Sequence, residues 1–238
     1  MSVKVLEVGP CVEIVLGEYM DIIASGNTAD VIEQENNTIC KLFKPDYPLM
    51  YIEHEFNNAK SIRGLGIDTP TPYKMIHLDE RNGILYERVV GETLYTKLKD
   101  VADEELDVWI DKFADLHRNV LSHHVDNVID YKDFLKILAK DSSDIISRID
   151  ALKNGDSLLH GDYHPGNVMV DTNNRLILID MMNICKGPVE YDVARTYFLL
   201  EGNKELQNKY LKLMGYRVQE IIPYLDVIML IREKELNL

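Results

Sequence analysis

The residue types with the clearest chemical potential lie together in segment 160–167, which reads HGDYHPGN. Asp162 precedes Asn167 in this segment, and Asp180 follows after two short apolar stretches. An amide oxygen and a carboxylate are ligands that suit Mg²⁺, and a nearby carboxylate can accept the proton of a hydroxyl group. These residues predict phosphoryl transfer, with Asp162 as the base and Asn167 and Asp180 as metal ligands.

The two apolar stretches around a polar turn predict a β-hairpin that would bring the metal ligands together. If the hairpin is symmetric about the turn at 171–175, Val168 faces Ile179 and Asn167 faces Asp180. Opposed residues of an antiparallel pair have Cα atoms ~4.5 to 5.5 Å apart, close enough to share one cation. Asp162 is then expected to face the same cation.

The spacing of Asp162 and Asn167 matches the D-x-x-x-x-N catalytic loop of protein kinases. Because glycine precedes the aspartate, the loop resembles more closely the H-G-D-x-x-x-x-N loop of the aminoglycoside phosphotransferase and choline kinase family. Segments 113–117 (FADLH), 187–188 (GP) and 192–195 (DVAR) are also similar to stretches of that family. The resemblance covers roughly residues 20 to 200.

This resemblance implies an α+β, two-lobed protein-kinase-like fold. Residues 1–90 would form an N-terminal nucleotide-binding lobe, with a small antiparallel β-sheet and one helix. Residues 91–238 would form a mainly helical C-terminal lobe that carries catalysis and substrate binding. The expected cofactors are ATP or GTP and Mg²⁺, and the expected activity is transfer of a phosphoryl group to an alcohol of a small molecule.

The resemblance also implies a nucleotide-binding set in the first lobe. It consists of a phosphate-covering turn, a lysine for the α- and β-phosphates, the helix partner of that lysine, and connector backbone for the adenine: Ser25, Gly26, Asn27, Lys41, Glu55, Glu87 and Val89. Lys41 is favoured over Lys44 because it alternates along a strand with inward-facing apolar residues. Glu53 remains a competitor for Glu55.

Several residues near the loop have a structural or an open assignment. Asp192 is expected to brace the catalytic loop, although a helix N-cap is an equal alternative. His117 and His160 are interpreted as packing residues. Met181 and Met182 depart from the pattern that follows the metal aspartate in this family, and no A-P-E signature follows, which argues against a protein substrate.

The elements that must position these residues can be read from the pattern of apolar residues. Before about residue 45, turn signals separate short apolar stretches that predict an antiparallel meander: 3–8, 12–16, 20–24, 30–33 and 39–43. A helix is predicted over 51–65, and two further strands over 73–78 and 84–88, joined by a turn at 79–83. After Gly91 the pattern becomes helical, with Asp103 as a candidate N-cap.

Composition narrows the classes of partner. The formal net charge is −14, which disfavours nucleic acid and membrane surfaces and would favour a cationic small molecule. Half of that charge comes from residues 100–130, for which a solvated helix face is the simpler explanation. The three cysteines are far apart and predict neither zinc nor disulfides. With no apolar run long enough for a membrane span and no secretory signal, a cytoplasmic protein is expected.

Three hypotheses about function stay open at this point. The leading one is phosphorylation of an aminoglycoside, amino alcohol, sugar or thiamine-like metabolite. The others are a protein kinase and a nucleotide-binding scaffold without turnover. The presence of Asp162 argues against the scaffold, because a scaffold has no need of a base.

Overall fold

The computed structural model describes residues 5–8, 11–14, 22–78 and 80–236. They form two compact units. The first unit consists of described residues up to Val90 together with Ile179–Met182, and the second consists of Gly91–Leu178 and the described residues from Asn183 onward. The first unit is built on a largely antiparallel sheet and the second is mainly helical, which confirms the predicted α+β, kinase-like fold class.

The sheet of the first unit has seven strands in the order β1-β2-β6-β7-β5-β4-β3. The strands are β1 (Val5–Val8), β2 (Cys11–Ile14), β3 (Ile22–Ser25), β4 (Ala29–Gln34), β5 (Thr38–Phe43), β6 (Pro72–Leu78) and β7 (Arg81–Glu87). The neighbouring strands β2 and β6 are parallel, and the other neighbouring pairs of this sheet are antiparallel. The predicted strand residues 3–4, 15–16 and 20–21 lie outside the described residues.

Apolar and polar residues alternate along the central strands of this sheet, as expected of strands with one buried face. A cluster of buried side chains lies on one face: Ile32, Cys40, Leu42, Ile76 and Leu78. Helix α1 (Leu49–Ile62) begins after Pro48 and buries the face that contains Ile52, Glu55 and Asn58. The predicted helix limits of 51 and 65 are therefore displaced by a few residues, which is usual for helix ends.

The connection between β6 and β7 is shorter than the predicted turn at 79–83. Leu78 pairs with Arg81, and Glu80 has a φ of 63° in the left-handed region that a tight hairpin requires. Gly83 lies inside β7, and a Cβ there would stand 2.9 Å from the Lys41 carbonyl oxygen. The glycine thus permits the close approach of β5 and β7 and does not mark a turn.

The second unit contains seven helices within the described residues. They are α2 (Leu94–Asp100), α3 (Asp103–Leu121), α4 (Tyr131–Ala139), α5 (Ser143–Ala151), α6 (Val189–Leu199), α7 (Lys204–Leu213) and α8 (Val218–Leu236). Ala102 occupies the N-cap position of α3, so the prediction of Asp103 as N-cap is wrong and Asp103 is the first helical residue. No helix in the described part of the chain is long and apolar enough to span a membrane.

Two small sheets carry the loops of the second unit. The first has the strand order β11-β10-β8, and the second joins β12 to β9. The strands are β8 (Gly91–Thr93), β9 (Ser157–Leu159), β10 (Val168–Asp171), β11 (Leu176–Leu178) and β12 (Cys185–Gly187). A short 3₁₀ turn, Pro165–Asn167, leads directly into β10.

The register of the β10–β11 hairpin differs by one residue from the prediction. Val168 faces Leu178, so the predicted pairs Val168–Ile179 and Asn167–Asp180 are wrong. The Asp171 N–H donates to the Arg175 carbonyl, and Asn174 has a φ of 59°, which gives a loop with an odd number of residues. The prediction assumed a turn with an even number of residues, and the three-residue loop between Asp171 and Arg175 displaces the register by one residue.

Candidate active site

The first unit holds a lysine between two carboxylates. Lys41 on β5 has its Nζ 2.8 and 2.9 Å from the two carboxylate oxygens of Glu55 on α1. The same Nζ lies 3.1 Å from Asp180 Oδ1. This geometry favours Lys41 over Lys44, because Lys44 pairs with Asp30. It also favours Glu55 over Glu53, because Glu53 is exposed.

Burial and charge act against each other at Lys41. Burial alone would lower the pKa of this ammonium, but the charges of Glu55 and Asp180 raise that pKa above its usual value. Lys41 is therefore a cation at neutral pH. Tyr86 on β7 also donates a hydrogen bond of 3.1 Å to Glu55, and burial raises the pKa of Tyr86, so it remains a neutral donor.

Asp180 lies on a short segment that is fastened to the helix of the first unit. Asn58 Nδ2, one turn after Glu55 on α1, donates to the Met181 carbonyl at 2.9 Å. Asp180 has a φ of 64°, a left-handed conformation that aspartate tolerates better than most residues. Its side chain is 38% exposed, in contrast to 1% for Glu55, so one end of this network is open to solvent.

The predicted phosphate turn is an exposed connection between β3 and β4. The Ser25 hydroxyl donates to Asp30 Oδ1 at 2.6 Å, and the Gly26 N–H donates to the Ala29 carbonyl at 2.8 Å. Lys44 and Arg81 also bind Asp30 and, with Ser25, hold the pKa of this carboxyl well below its usual range. The turn is thus anchored at its base, while Asn27 remains exposed.

The connector after β7 is fastened through Glu87. Its N–H donates to the Thr71 carbonyl at 2.9 Å, and its carboxylate accepts from the Thr71 hydroxyl at 2.8 Å. Among the described residues, none accepts a hydrogen bond from the Val89 N–H. Of the two predicted adenine contacts, the amide at Val89 is therefore the available donor.

The second unit presents Asp162 at the start of the HGD loop. Its carboxylate is 3.4 Å from Arg195 Nη2 and 3.6 Å from His164 Nε2. The Gly166 N–H donates to His164 Nδ1 at 3.0 Å, so the imidazole proton is on Nε2, directed at Asp162. Burial alone would raise the pKa of Asp162, but His164 and Arg195 outweigh burial and lower it, so this carboxylate is ionised at neutral pH.

Asn167 is oriented by the same aspartate. Its Nδ2 donates to the Asp162 carbonyl at 3.0 Å and to the Asp162 carboxylate at 3.2 Å. The amide nitrogen is therefore committed to the loop. The amide oxygen accepts no hydrogen bond from any described residue and is available to bind a ligand.

The loop itself is fixed by a fully buried carboxylate. Asp192, in α6, accepts hydrogen bonds from the main-chain N–H groups of His160 at 2.7 Å and Gly161 at 2.9 Å. His117 on α3 lies 3.1 Å from the same carboxylate. Gly161 has a φ of 75°, and a Cβ there would meet the Asn183 carbonyl oxygen at 2.4 Å, so only glycine fits between His160 and Asp162.

These contacts make Asp192 a brace for the loop. The helix α6 has Pro188 at its N-cap position, so the alternative of Asp192 as the N-cap is excluded. Burial alone would raise the pKa of Asp192, but the hydrogen bond and charge of His117 and the charge of His160 lower it. The interpretation of both histidines as structural residues agrees with these contacts.

The family of the chain follows from its sequence as a whole. Residues 22–212 match the model of the phosphotransferase enzyme family. This chain belongs to that family. A search of curated proteins finds no match.

Solved structures of known phosphotransferases share the fold at low sequence identity. An aminoglycoside-3'-phosphotransferase of type VIII is 15% identical, with 88% of this chain and 93% of that chain covered and a TM-score of 0.64. The apo form of a thermostable mutant of aminoglycoside phosphotransferase APH(4)-Ia is 12% identical over 90% of this chain and 87% of that chain, with a TM-score of 0.63. ADP-bound APH(2'')-Ib is 16% identical over 88% and 81%, with a TM-score of 0.60.

Each unit, taken by itself, has one oxygen donor of the kind that a hard divalent cation binds. Asp180 offers a carboxylate that is 38% exposed, and Asn167 has an amide oxygen without a partner among the described residues. Oxygen donors of this kind suit Mg²⁺, which keeps several waters and binds through one or two protein ligands plus phosphates. No cluster of three His, Cys, Asp or Glu residues in the described ranges forms an alternative metal site.

Four residues that contact the predicted site residues were not predicted from the sequence as site residues. Asn58 and Tyr86 support the first unit, and His164 and Arg195 flank Asp162. The sequence could have indicated two of them from helical spacing. Asn58 lies three residues after Glu55, and Arg195 lies three residues after Asp192, so each shares a helix face with a predicted residue. The contact between His164 and Asp162 depends on the loop conformation and leaves no such signal.

Proposed function

We propose that this phosphotransferase transfers the γ-phosphoryl group of ATP to a hydroxyl group of a small molecule. The observation that carries the proposal is the position of Lys41 between the buried Glu55 and the partly exposed Asp180. One ammonium between two carboxylates leaves a net negative charge. A divalent cation and the phosphates that it binds would complete this arrangement of charge.

The loop of the second unit supplies the group that the reaction needs on the acceptor side. Asp162 is ionised, partly exposed, and fixed on a main chain that is hydrogen-bonded to a buried carboxylate. It would orient the acceptor hydroxyl and take its proton as the oxygen attacks phosphorus. The bound Mg²⁺, held by Asn167 and Asp180, would neutralise charge on the phosphates.

The remaining predicted residues complete the nucleotide site in this proposal. Lys41 would bind the α- and β-phosphates, with Glu55 holding it in place, and the turn Ser25–Gly26–Asn27 would cover the phosphates. The backbone of Glu87 and Val89 would hydrogen-bond the adenine or guanine base. Structures in the same fold group contain ADP, or AMP-PNP with hygromycin B, which supports a nucleotide and a hydroxylated small molecule as substrates here.

A transfer assay tests this proposal. The purified chain is incubated with γ-labelled ATP, Mg²⁺, and separate pools of aminoglycosides, amino alcohols, sugars and neutral alcohols, with casein as a protein acceptor. We expect label on a small molecule, and none on casein. Label on casein alone would favour a protein kinase, and nucleotide binding without transfer to any acceptor would favour the scaffold.

A further inference from the structure

Arg195 on α6 lies beside Asp162, the proposed base, and both residues belong to the second unit. Its Nε donates to the Gly161 carbonyl at 3.3 Å, and its Nη2 donates to Asp162 Oδ1 at 3.4 Å. Its guanidinium carbon lies 5.9 Å from the centre of the Phe198 ring. The guanidinium therefore bridges the main chain just before Asp162 and the carboxylate of Asp162 itself.

The two carboxylate oxygens of Asp162 have different partners. Oδ2 accepts from Asn167 Nδ2 at 3.2 Å and lies 3.6 Å from His164 Nε2. Within the described part of the chain, the contact to Oδ1 comes from Arg195 alone. The last torsion of an aspartate side chain is soft, so contacts at one oxygen leave the carboxylate able to rotate. Arg195 holds the second oxygen and so fixes the plane of the carboxylate.

Helix α6 holds the loop through two side chains of opposite charge. Asp192 accepts from the N–H groups of His160 and Gly161. Arg195, three residues later on the same helix face, donates to the carbonyl of Gly161. Asp192 acts on the main chain only, whereas Arg195 also reaches the side chain of Asp162. Loss of Arg195 should therefore affect the orientation of the carboxylate more than the fold of the loop.

We propose that Arg195 is a positioning residue for phosphoryl transfer, which holds the carboxylate of Asp162 in the orientation that takes the proton of the acceptor hydroxyl. This inference rests on the proposed function and adds a residue to it. In the reaction, the hydroxyl oxygen forms a bond to the γ-phosphorus, and the bond from that phosphorus to the β,γ-bridging oxygen breaks. ADP leaves with that oxygen, and the proton passes to Asp162. Arg195 acts through Asp162.

The surroundings of Arg195 make this role accessible to a chemical test. Its side chain is 23% exposed, so small ions in solution can reach it. Arg195 also lines a cavity of about 100 Å³ between α4, α6 and α8. Truncation of the side chain would extend this existing space and leave room for a free guanidinium ion beside Asp162.

Kinetics of two arginine variants test the role. We expect Arg195→Ala to lower kcat by about 100-fold, with the KM for ATP within about a factor of two of the wild type, because a misplaced base slows the chemical step. Arg148→Ala removes an exposed arginine of the same unit, which pairs with Asp144 on α5, and should keep the wild-type kcat. Equal values of kcat in the two variants overturn the inference.

Chemical rescue separates positioning from a merely structural role. We expect guanidinium chloride at millimolar concentration to raise kcat of Arg195→Ala by about tenfold, because it restores a charged hydrogen bond. Urea has a similar planar shape without the charge, and it should not restore activity, nor should sodium chloride at the same ionic strength. If Arg195 only stabilised the fold, guanidinium would lower activity further, since it destabilises folded proteins. Absence of rescue, or equal rescue by urea, overturns the inference.

A second pair of variants serves if circular dichroism shows that Arg195→Ala does not fold. Arg195→Met keeps the hydrocarbon stem near Phe198, and Arg195→Lys also keeps a positive charge that can reach one partner. We expect kcat to be about tenfold higher in Arg195→Lys than in Arg195→Met, because the ammonium retains a charged hydrogen bond. Equal kcat in these two variants overturns the inference.

A spectroscopic measurement separates failure of this inference from failure of the proposed function. If the wild type phosphorylates no alcohol, the proposed function fails. NMR of protein labelled with ¹³C at the aspartate carboxyl carbons, with Asp162 assigned through Asp162→Asn, then reports on the contact directly. We expect the Asp162 signal to move in Arg195→Ala and to return with guanidinium but not with urea. A signal that the substitution leaves unchanged overturns the positioning role.

Discussion

In the first unit, Lys41 is held by side chains alone, whereas in the second unit Asp162, the proposed base, sits on a main chain that is itself held by hydrogen bonds. Lys41 reaches Glu55 and Asp180 with a long flexible side chain. Asp162 follows two residues whose N–H groups donate to the buried Asp192. The comparison shows that Lys41 is positioned by adaptable ionic contacts between side chains, whereas Asp162 is positioned by hydrogen bonds to its main chain.

The difference has a physical reason in the proposed reaction. A lysine that binds phosphates must exchange one carboxylate partner for another anion when the nucleotide arrives, so side-chain pairing suits it. A base must stay within hydrogen-bonding reach of the proton that it takes, and small displacements reduce the rate strongly. We expect the two regions to respond differently when single contacts are removed.

The largest effect is expected at the base. Asp162→Asn keeps the shape of the side chain but removes its ability to take a proton. We expect kcat to fall by about 10³-fold, with ATP affinity within a factor of two or so of the wild type. Steady-state kinetics measures kcat, and calorimetry measures the affinity for ATP. A normal kcat in Asp162→Asn would show that Asp162 does not act as the base.

The next effect concerns the brace. Asp192→Asn should reduce the free energy of unfolding by about 3 kcal/mol, because two buried N–H groups and His117 lose a charged partner. Urea denaturation measures the change. Asp111→Asn, an exposed carboxylate on α3, is the control and should change stability by less than about 0.5 kcal/mol. Equal changes in the two variants would contradict the bracing role.

The effect of Asp192→Asn on the free energy of unfolding should depend on pH. The pKa of Asp192 is lowered by folding, so its contribution to stability is present above the pKa of the unfolded carboxyl and is lost as pH falls through the lower folded value. The difference in stability between wild type and Asp192→Asn should therefore shrink in acid, below about pH 4. A difference that grows in acid would contradict the conclusion that folding lowers the pKa of Asp192.

A smaller effect is expected at Lys41. Lys41→Met should weaken ATP binding by about 30-fold, which corresponds to the loss of charged hydrogen bonds to phosphate. Lys44→Met removes the ion pair with Asp30 at the base of the predicted phosphate turn and should weaken ATP binding much less than Lys41→Met does. Calorimetry distinguishes them, and the reverse outcome would move the phosphate contact to Lys44.

The smallest effect is expected at Tyr86. Tyr86→Phe removes the hydrogen bond to Glu55 and should cost about 1 kcal/mol of unfolding free energy. Tyr95→Phe, whose ring is 55% exposed on α2, should be neutral. A cost at Tyr86 much above that of a single hydrogen bond would show that the first unit is held more rigidly than its side-chain contacts indicate.

The sequence indicated the local parts of the site and missed the parts that depend on distant packing. The spacing of Asp162 and Asn167 is local, and one loop holds both. Glu55 could be chosen by its placement fifteen residues before Pro70 and by the family resemblance. The contact between Lys41 and Asp180 joins positions 139 residues apart, and the sequence contains no periodic signal for it. The contact between Arg195 and Asp162 requires the packing of α6 against the loop.

The hairpin register shows most clearly where local patterns fail. The apolar residues in β10 and β11 are compatible with either register, because both strands are short and neither contains an exposed residue. The choice depends on Asn174 in the left-handed conformation and on the Asp171 carboxylate, which accepts from the Asn173 and Arg175 N–H groups. The conformation of the turn therefore decides which of the two registers forms.

One measurement tests whether Asp180 acts in metal binding and Asp162 does not. It is the affinity for ATP, with and without Mg²⁺, of the wild type and of the variants Asp180→Ala and Asp162→Ala. We predict that Mg²⁺ strengthens ATP binding in wild type and in Asp162→Ala, and that this increase disappears in Asp180→Ala, because Asp180 would supply the carboxylate of the proposed metal site. An undiminished Mg²⁺ effect in Asp180→Ala would contradict the account.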